Sequence, residues 1–154
     1  SLPCQVTEYE KSAVKNIGFA LGASQVHLLD EPMAAAIGAQ LPVLAGRGSM
    51  IVDIGGGTTE IAVISLGGII KSHAVRIGGN TIDEAIMDHF RNYHHFSIGE
   101  QSAEKIKISL AHADLSSMNF DAMDVGGLNL ISGLPQRLRI DRSMIYPAVN
   151  SVIK

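Results

Sequence analysis

Val52-Asp53-Ile54-Gly55-Gly56-Gly57-Thr58-Thr59-Glu60-Ile61-Ala62-Val63 joins two β-branched, apolar stretches through three successive glycines. Ser49 to Ile54 and Thr59 to Leu66 have the composition of strands, and the three glycines suit a tight turn between them. A plain turn is one reading, because glycine tolerates positive φ. Asp53 just before the turn and Thr58-Thr59 just after it add a second. Backbone without Cβ atoms lets several N–H groups approach one anion, and hydroxyls add donors at the same place, so the turn also fits phosphate. Asp53 at the end of a buried strand is costly unless its charge is met. A magnesium ion carried with the phosphates, held through bound water, would meet it; accepting hydrogen bonds from the turn is the alternative. No Gly-Lys-Ser/Thr follows the glycines, and a strand rather than a helix comes next, which excludes a Walker loop and a dinucleotide fingerprint.

Upstream, Asp30-Glu31-Pro32-Met33-Ala34-Ala35-Ala36-Ile37-Gly38 reads as a short helix with proline in its first turn, running to Ala39. A carboxylate just before Pro32 serves as a cap and complements the dipole. If the helix start faces the phosphate hairpin, Glu31 can instead orient a water for in-line attack on a terminal phosphate. Gln25 to Leu29 is short and apolar enough for a buried strand. Thr7 is a candidate cap for an amphipathic helix in which Tyr9, Ala13, Val14, Ile17, Ala20 and Leu21 recur at helical spacing up to Gly22.

Downstream, Ile69 to Val75 predicts a third strand, and Gly78-Gly79 precedes a helix over 81–93 with Ile82, Ala85, Ile86, His89 and Phe90 on one face. A helix over 102–111 follows. Residues 114 to 141 alternate weakly and read as short strands, with turns at Gly126-Gly127 and Gly133 to Pro135. Asp141 caps a final helix to Ile153. The mixture makes an α/β architecture.

With 154 residues, 46% hydrophobic and 18% charged, the chain can bury a core. A net charge of −3 gives no bulk attraction for nucleic acid or an anionic membrane, so no nucleic-acid partner is expected. Cys4 is the one cysteine and reads as a small apolar residue near a strand end. No apolar run reaches a membrane span and no secretion signal opens the chain. It begins and ends inside structured-looking sequence, so it is expected to be an excised piece. Asn92-Tyr93-His94-His95-Phe96 invites a metal reading, but adjacent histidines on a helix diverge and nothing completes a ligand set, so it reads as a helix end. His27 reads as a core or edge residue, and the six methionines as core filler.

The two long segments, Leu29 to Gly38 and Val52 to Ser65, resemble the actin, sugar-kinase and heat-shock-chaperone ATPase superfamily, and within it the MreB family of bacterial actin-like cell-shape proteins. Val75-Arg76-Ile77-Gly78-Gly79-Asn80, Ile98-Gly99-Glu100 and Ala103-Glu104-Lys105-Ile106-Lys107 continue the likeness. It is dense from residue 24 to 108 and looser afterwards.

The resemblance implies an actin-like ATPase (ribonuclease H-like) α/β fold, mainly the second lobe with the end of the first. Residues 1–42 would end the first lobe, 43–78 with 143–154 would form the large subdomain of the second, and 79–142 its small subdomain. It implies ATP and Mg2+ as cofactors. Asp53 would serve the magnesium shell, Gly55, Gly56, Gly57, Thr58 and Thr59 the β- and γ-phosphates, and Glu31 with Thr58 the hydrolytic water. Gly78-Gly79 would border the nucleoside pocket, and Glu104 and Lys107 would contact ribose and adenine; a solvated i,i+3 ion pair is the alternative for those two.

Filament formation, rod-shape control, a cytoplasmic place at the inner membrane face and cell-shape membrane proteins as partners are implied for the full-length protein. Membrane contact is expected only through other regions. The family's first phosphate loop and later adenosine motif are missing, so weak ATP binding is expected. A heat-shock-type chaperone is disfavoured by Met33, where those proteins usually carry threonine; a non-hydrolysing actin-fold interaction module is the third reading.

Overall fold

The computed structural model describes residues 1–114 and 121–154, which divide into two units, 1–76 and 77–154.

In the first unit, helix α1 (Glu8–Ala20) opens on a reciprocal capping box: Glu10 N–H donates to Thr7 Oγ1 at 3.3 Å, and Thr7 N–H donates to Glu10 Oε2 at 2.7 Å. The expected helix is present but buries none of its residues, and Tyr9 and Ile17 are 84% and 60% exposed. Helix α2 (Glu31–Gly38) buries Pro32, Met33 and Ala36. Strands β1 (Ser49–Ile54), β2 (Thr59–Ser65) and β3 (Gly68–Val75) form an antiparallel sheet in that order. Leu66 and Gly67 both take positive φ in the two-residue turn between β2 and β3, the conformation that matches strand twist and favours glycine. Met33 and Ala36 of α2 meet Ala62 and Ile64 of β2 in the core, with Ile51, Ile69, Leu41 and Val43 around them.

The expected strand over Gln25 to Leu29 does not form. Leu2 makes one parallel bridge at its end, to Asp30, its N–H donating to Leu29 O and its carbonyl accepting from Glu31 N–H. A ladder needs a run of neighbours, and apolar composition does not supply one. His27 is exposed, with its ring 3.2 Å from Gln25 Oε1, rather than part of a core.

The second unit holds α3 (Gly79–His94), β4 (Phe96–Ser97), α4 (Glu100–Leu110), β5 (Ala122–Asn129), β6 (Pro135–Asp141) and α5 (Arg142–Ile153). The sheet runs β4-β5-β6, all antiparallel. Its core gathers Ile86, Phe90, Ala103, Ile106 and Leu110 from α3 and α4 with Val125, Ile140, Ile145 and Val149. Asp141 caps α5 as expected, accepting from Met144 N–H at 3.2 Å. His94 ends α3 and His95 takes the left-handed cap, in keeping with a helix end.

Gly126-Gly127 is a correction: both lie inside β5, not in a turn. A Cβ on Gly127 would stand 2.5 Å from Phe96 Cε1 and from Ser97 O, so this glycine serves the close approach of β4. Of the weakly alternating stretch, residues 115–120 lie outside the described residues.

Candidate functional site

The register of the first sheet builds the hairpin. Asp53 pairs with Glu60 and Ile54 with Thr59, and Gly55 N–H donates to Thr58 O at 2.8 Å, leaving Gly56-Gly57 as the tip. Neither Gly55 nor Gly57 has a left-handed φ, so the conformational reason for glycine is absent at both. A Cβ on Gly55 would come to 3.3 Å from Thr58 O, whereas one on Gly57 would meet nothing within 4 Å. Glycine at 57 is thus required by neither conformation nor packing.

Side chains alternate between sheet faces, so Ser49, Ile51 and Asp53 share a face with Ile64, Ala62 and Glu60, the face toward α2. Asp53 is half-buried there, and the deeply buried carboxylate is Glu60, 2% exposed. Glu60 Oε1 accepts from Cys4 N–H at 2.9 Å, while Oε2 is buried without a partner. Burial pushes the Cys4 thiol above its ordinary range; a hydrogen bond with Ser72 opposes this, and the charges of Glu60, Asp30 and Glu31 add to it. The Cys4 N–H bond to Glu60 and the backbone bonds of Leu2 to Leu29 and Glu31 bring the start of α2 near the hairpin end of β2.

Asp30, not Glu31, is the N-cap of α2, and its side chain makes no capping hydrogen bond. Glu31 sits in the first turn, half-buried, its N–H donating to Leu2 O at 2.8 Å. Among the described residues, no three His, Cys, Asp or Glu side chains are grouped to hold a metal ion directly. The donor set fits a magnesium ion that keeps most of its waters, which needs only one or two carboxylates.

The remaining sequence-predicted residues lie in the second unit. Gly78 is the N-cap of α3, and its N–H donates to Thr81 Oγ1 at 3.3 Å. Lys107 Nζ reaches back from α4 to α3, donating to Asp83 Oδ2 at 2.7 Å and to Gly79 O at 3.1 Å. The i,i+3 pair with Glu104 does not form; Lys107 is committed elsewhere. Glu104, exposed, lines a cavity of about 270 Å³ with Asn80, Asp83, Glu84, Glu100 and Gln101. The structure thus collects Glu31, Asp53 and Gly55 to Thr59 in one unit, and Gly78, Gly79, Glu104 and Lys107 in the other.

Glu60 and Asp83 were not singled out by sequence reasoning. A signal for Glu60 existed, since a two-residue tip at Gly56-Gly57 makes residues 53 and 60 partners. Asp83 offered none, its partner lying 24 residues away.

The family model for the MreB/Mbl protein matches residues 1–154. The chain belongs to the MreB/Mbl family. The cell shape-determining protein MreB of Haemophilus influenzae is 44% identical over 149 residues, covering 96% of this chain and 42% of that protein. The crystal structure of MreB 5 of Spiroplasma citri bound to AMPPNP superposes with a TM-score of 0.91 at 33% identity, over 98% of this chain and 45% of that one. A MamK double helical filament structure, 17% identical with a TM-score of 0.75 over 99% of this chain and 45% of its own, shares the fold. This MreB/Mbl chain therefore has the actin-like α/β fold, and it spans less than half the length of the relatives it matches.

Proposed function

We propose that this chain contributes the phosphate-gripping hairpin and the nucleoside cavity of an ATP-hydrolysing actin-like cytoskeletal protein that forms filaments and directs rod shape. The observation that carries the reading is Gly57. Its backbone is neither left-handed nor crowded, so what glycine leaves there is room for something outside the chain. A hairpin flanked by Asp53, Thr58 and Thr59 suits a phosphate chain. The Spiroplasma relative, bound to AMPPNP, supports a nucleotide as that ligand.

The roles follow from chemistry at each position. Gly55 to Thr59 supply backbone and hydroxyl donors to the β- and γ-phosphates. Asp53 would hold a magnesium ion carried with the phosphates, and that ion would supply screening of the phosphate charge. Glu31, with Thr58, orients a water whose oxygen attacks the γ-phosphorus as the bond to the β,γ-bridging oxygen breaks, giving ADP and phosphate. The attacking water gives up its proton, and Glu31 is the acceptor on this side. Gly78, Gly79, Glu104 and Lys107 serve the nucleoside.

The lobe assignment follows the same reading, with residues 1–42 closing a first lobe, 43–78 and 143–154 one subdomain of the second, and 79–142 the other. Filament contacts are self-association of the full-length protein, as the MamK filament supports for the fold. The protein works in the cytoplasm at the inner membrane face, and contact with membrane or cell-shape membrane proteins runs through other regions. The 154 residues alone bind ATP weakly and do not polymerise.

Replacing Glu31 by Ala in the full-length protein tests the catalytic reading. Filaments should persist while phosphate release slows by about a hundredfold or more, the usual worth of a positioned general base. Unchanged hydrolysis would favour a non-hydrolysing interaction module.

A further inference from the structure

Glu31 begins a helix and Thr58 ends a hairpin turn, so something must hold the two in place if both are to address one water. Met33 and Ala36, packed on Ala62 and Ile64, hold α2 beyond Glu31. The start of the helix is held differently. The Asp30 side chain makes no capping hydrogen bond, and the Glu31 N–H, a donor of the kind a helix leaves open at its N-terminus, goes to Leu2 O at 2.8 Å. Leu2 N–H donates to Leu29 O at 2.9 Å, so one residue grips the chain on both sides of Asp30. Two residues on, Cys4 N–H donates to Glu60 Oε1 at 2.9 Å. Glu60 directly follows Thr58-Thr59 and faces Asp53 across the ladder. Residues 2–4 are therefore a strap, fastened at one end to the start of α2 and at the other to the phosphate hairpin.

We propose that Glu60 is a positioning residue for hydrolysis: by accepting the Cys4 N–H it fixes the strap, and through the strap it holds the backbone of Glu31 in place against Thr58. This rests on the hydrolytic reading above. A carboxylate 2% exposed, with Oε2 buried and unpartnered, is a costly way to stabilise a fold. As a clamp it is well suited, because an ionised acceptor makes a stronger bond to an N–H than a neutral one does. It also sits on a strand of the central ladder, two residues from Thr58, where the backbone has little freedom. The strap is gripped a second time by the hydrogen bond between the Cys4 thiol and Ser72 of β3. Both fastenings lie on the sheet, so the start of α2 takes its place from the sheet through residues 2–4.

The inference predicts a loss of rate without a loss of binding. In the full-length protein, MgATP affinity is measured by calorimetry, and phosphate release at saturating MgATP from sedimented filaments. The proteins compared are the wild type, Glu60→Leu, Glu60→Gln, Glu31→Ala and the double variant E31A/E60L. A misplacement of about 1 Å costs on the order of a hundredfold, and a loosened strap costs less, so Glu60→Leu should slow phosphate release by about tenfold. Its MgATP affinity should stay within about twofold of the wild type. Glu60→Gln keeps an acceptor for the Cys4 N–H and should recover most of the rate. In E31A/E60L the rate should be no lower than in Glu31→Ala, because the group that Glu60 positions is already gone. If Glu60→Leu does not fold, Glu60→Met, whose flexible side chain fills irregular gaps, removes the acceptor in its place and carries the same expectations. A wild-type rate without the acceptor, an equal fall in rate and affinity, or a full further loss on top of Glu31→Ala overturns the inference and leaves the hydrolytic reading standing. A wild-type rate in Glu31→Ala overturns both.

Discussion

Asp53 and Glu60 stand directly opposite each other across the β1–β2 ladder, on the face of the sheet turned toward α2. Like charges in directly opposed strand positions destabilise a sheet, and a buried carboxylate oxygen without a partner adds to the cost. Glu60 nevertheless has one structural task, accepting the Cys4 N–H.

The two contributions separate by substitution in the 154-residue chain. Glu60→Gln retains an acceptor for Cys4 N–H and removes the charge, so urea unfolding should show a midpoint unchanged or raised. Glu60→Leu removes the acceptor as well and should cost about 1 kcal/mol. A Gln variant as damaged as the Leu variant would mean that the charge itself stabilises the fold.

Gly57→Ala separates fold from function at the hairpin tip. The added methyl meets nothing within 4 Å and the backbone is not left-handed. Stability should therefore be unchanged or improved by about 0.4–1 kcal/mol, through the restricted unfolded chain. In the full-length protein, MgATP affinity should fall by about tenfold or more as the methyl obstructs the phosphate approach. Retained affinity would remove the ground for a phosphate grip at this tip.

What could be read in the sequence were features whose cause is local. The three strands of the first sheet, the Thr7 and Asp141 caps and the extent of α2 follow from composition, spacing and side-chain chemistry within a few residues. Features that depend on a distant partner could not. Gln25 to Leu29 has strand composition but, among the described residues, no ladder partner beyond the single bridge of Leu2 to Asp30. Gly126-Gly127 looks like a turn until Phe96 and Ser97 are packed against it. The ion pair kept as the alternative for Glu104 and Lys107 rested on their being helix neighbours, while a partner for Lys107 waited on α3. The periodicity of α1 was legible, but what would cover its apolar side chains was not.

His89 makes the second unit sensitive to acid. Burial holds its imidazole below the ordinary value of 6.5, the nearby His94 adds to this, and a hydrogen bond with the Met144 backbone partly offsets it. Its ring also stacks on Tyr93 at 4.8 Å between centroids. The unfolded chain takes up this proton at higher pH than the folded one. The neutral ring therefore contributes stability above 6.5, and that contribution is lost as pH falls from 6.5 toward the lower folded value. His89→Gln should flatten the pH dependence of the urea midpoint across this window. An equally steep profile in the variant would assign the acid sensitivity to other groups.

Gly127→Ala tests the packing of β5 against β4. The new methyl would lie 2.5 Å from both Phe96 Cε1 and the Ser97 carbonyl oxygen. The ring, nearly buried in the core, has little freedom to turn aside, and the carbonyl belongs to a strand already paired with Leu128. Backbone must shift, so the loss should reach the roughly 1–3 kcal/mol typical of overpacking, against a gain of under about 1 kcal/mol for a harmless Gly→Ala change. Gly126→Ala, one residue away with nothing within 4 Å of its added methyl, is the matched control. Thermal melts should separate the two by several degrees, as about 1 kcal/mol does in a domain of this size. Equal melting points would mean that β4 can move away from β5 at little cost, and that Gly127 is not what seats it.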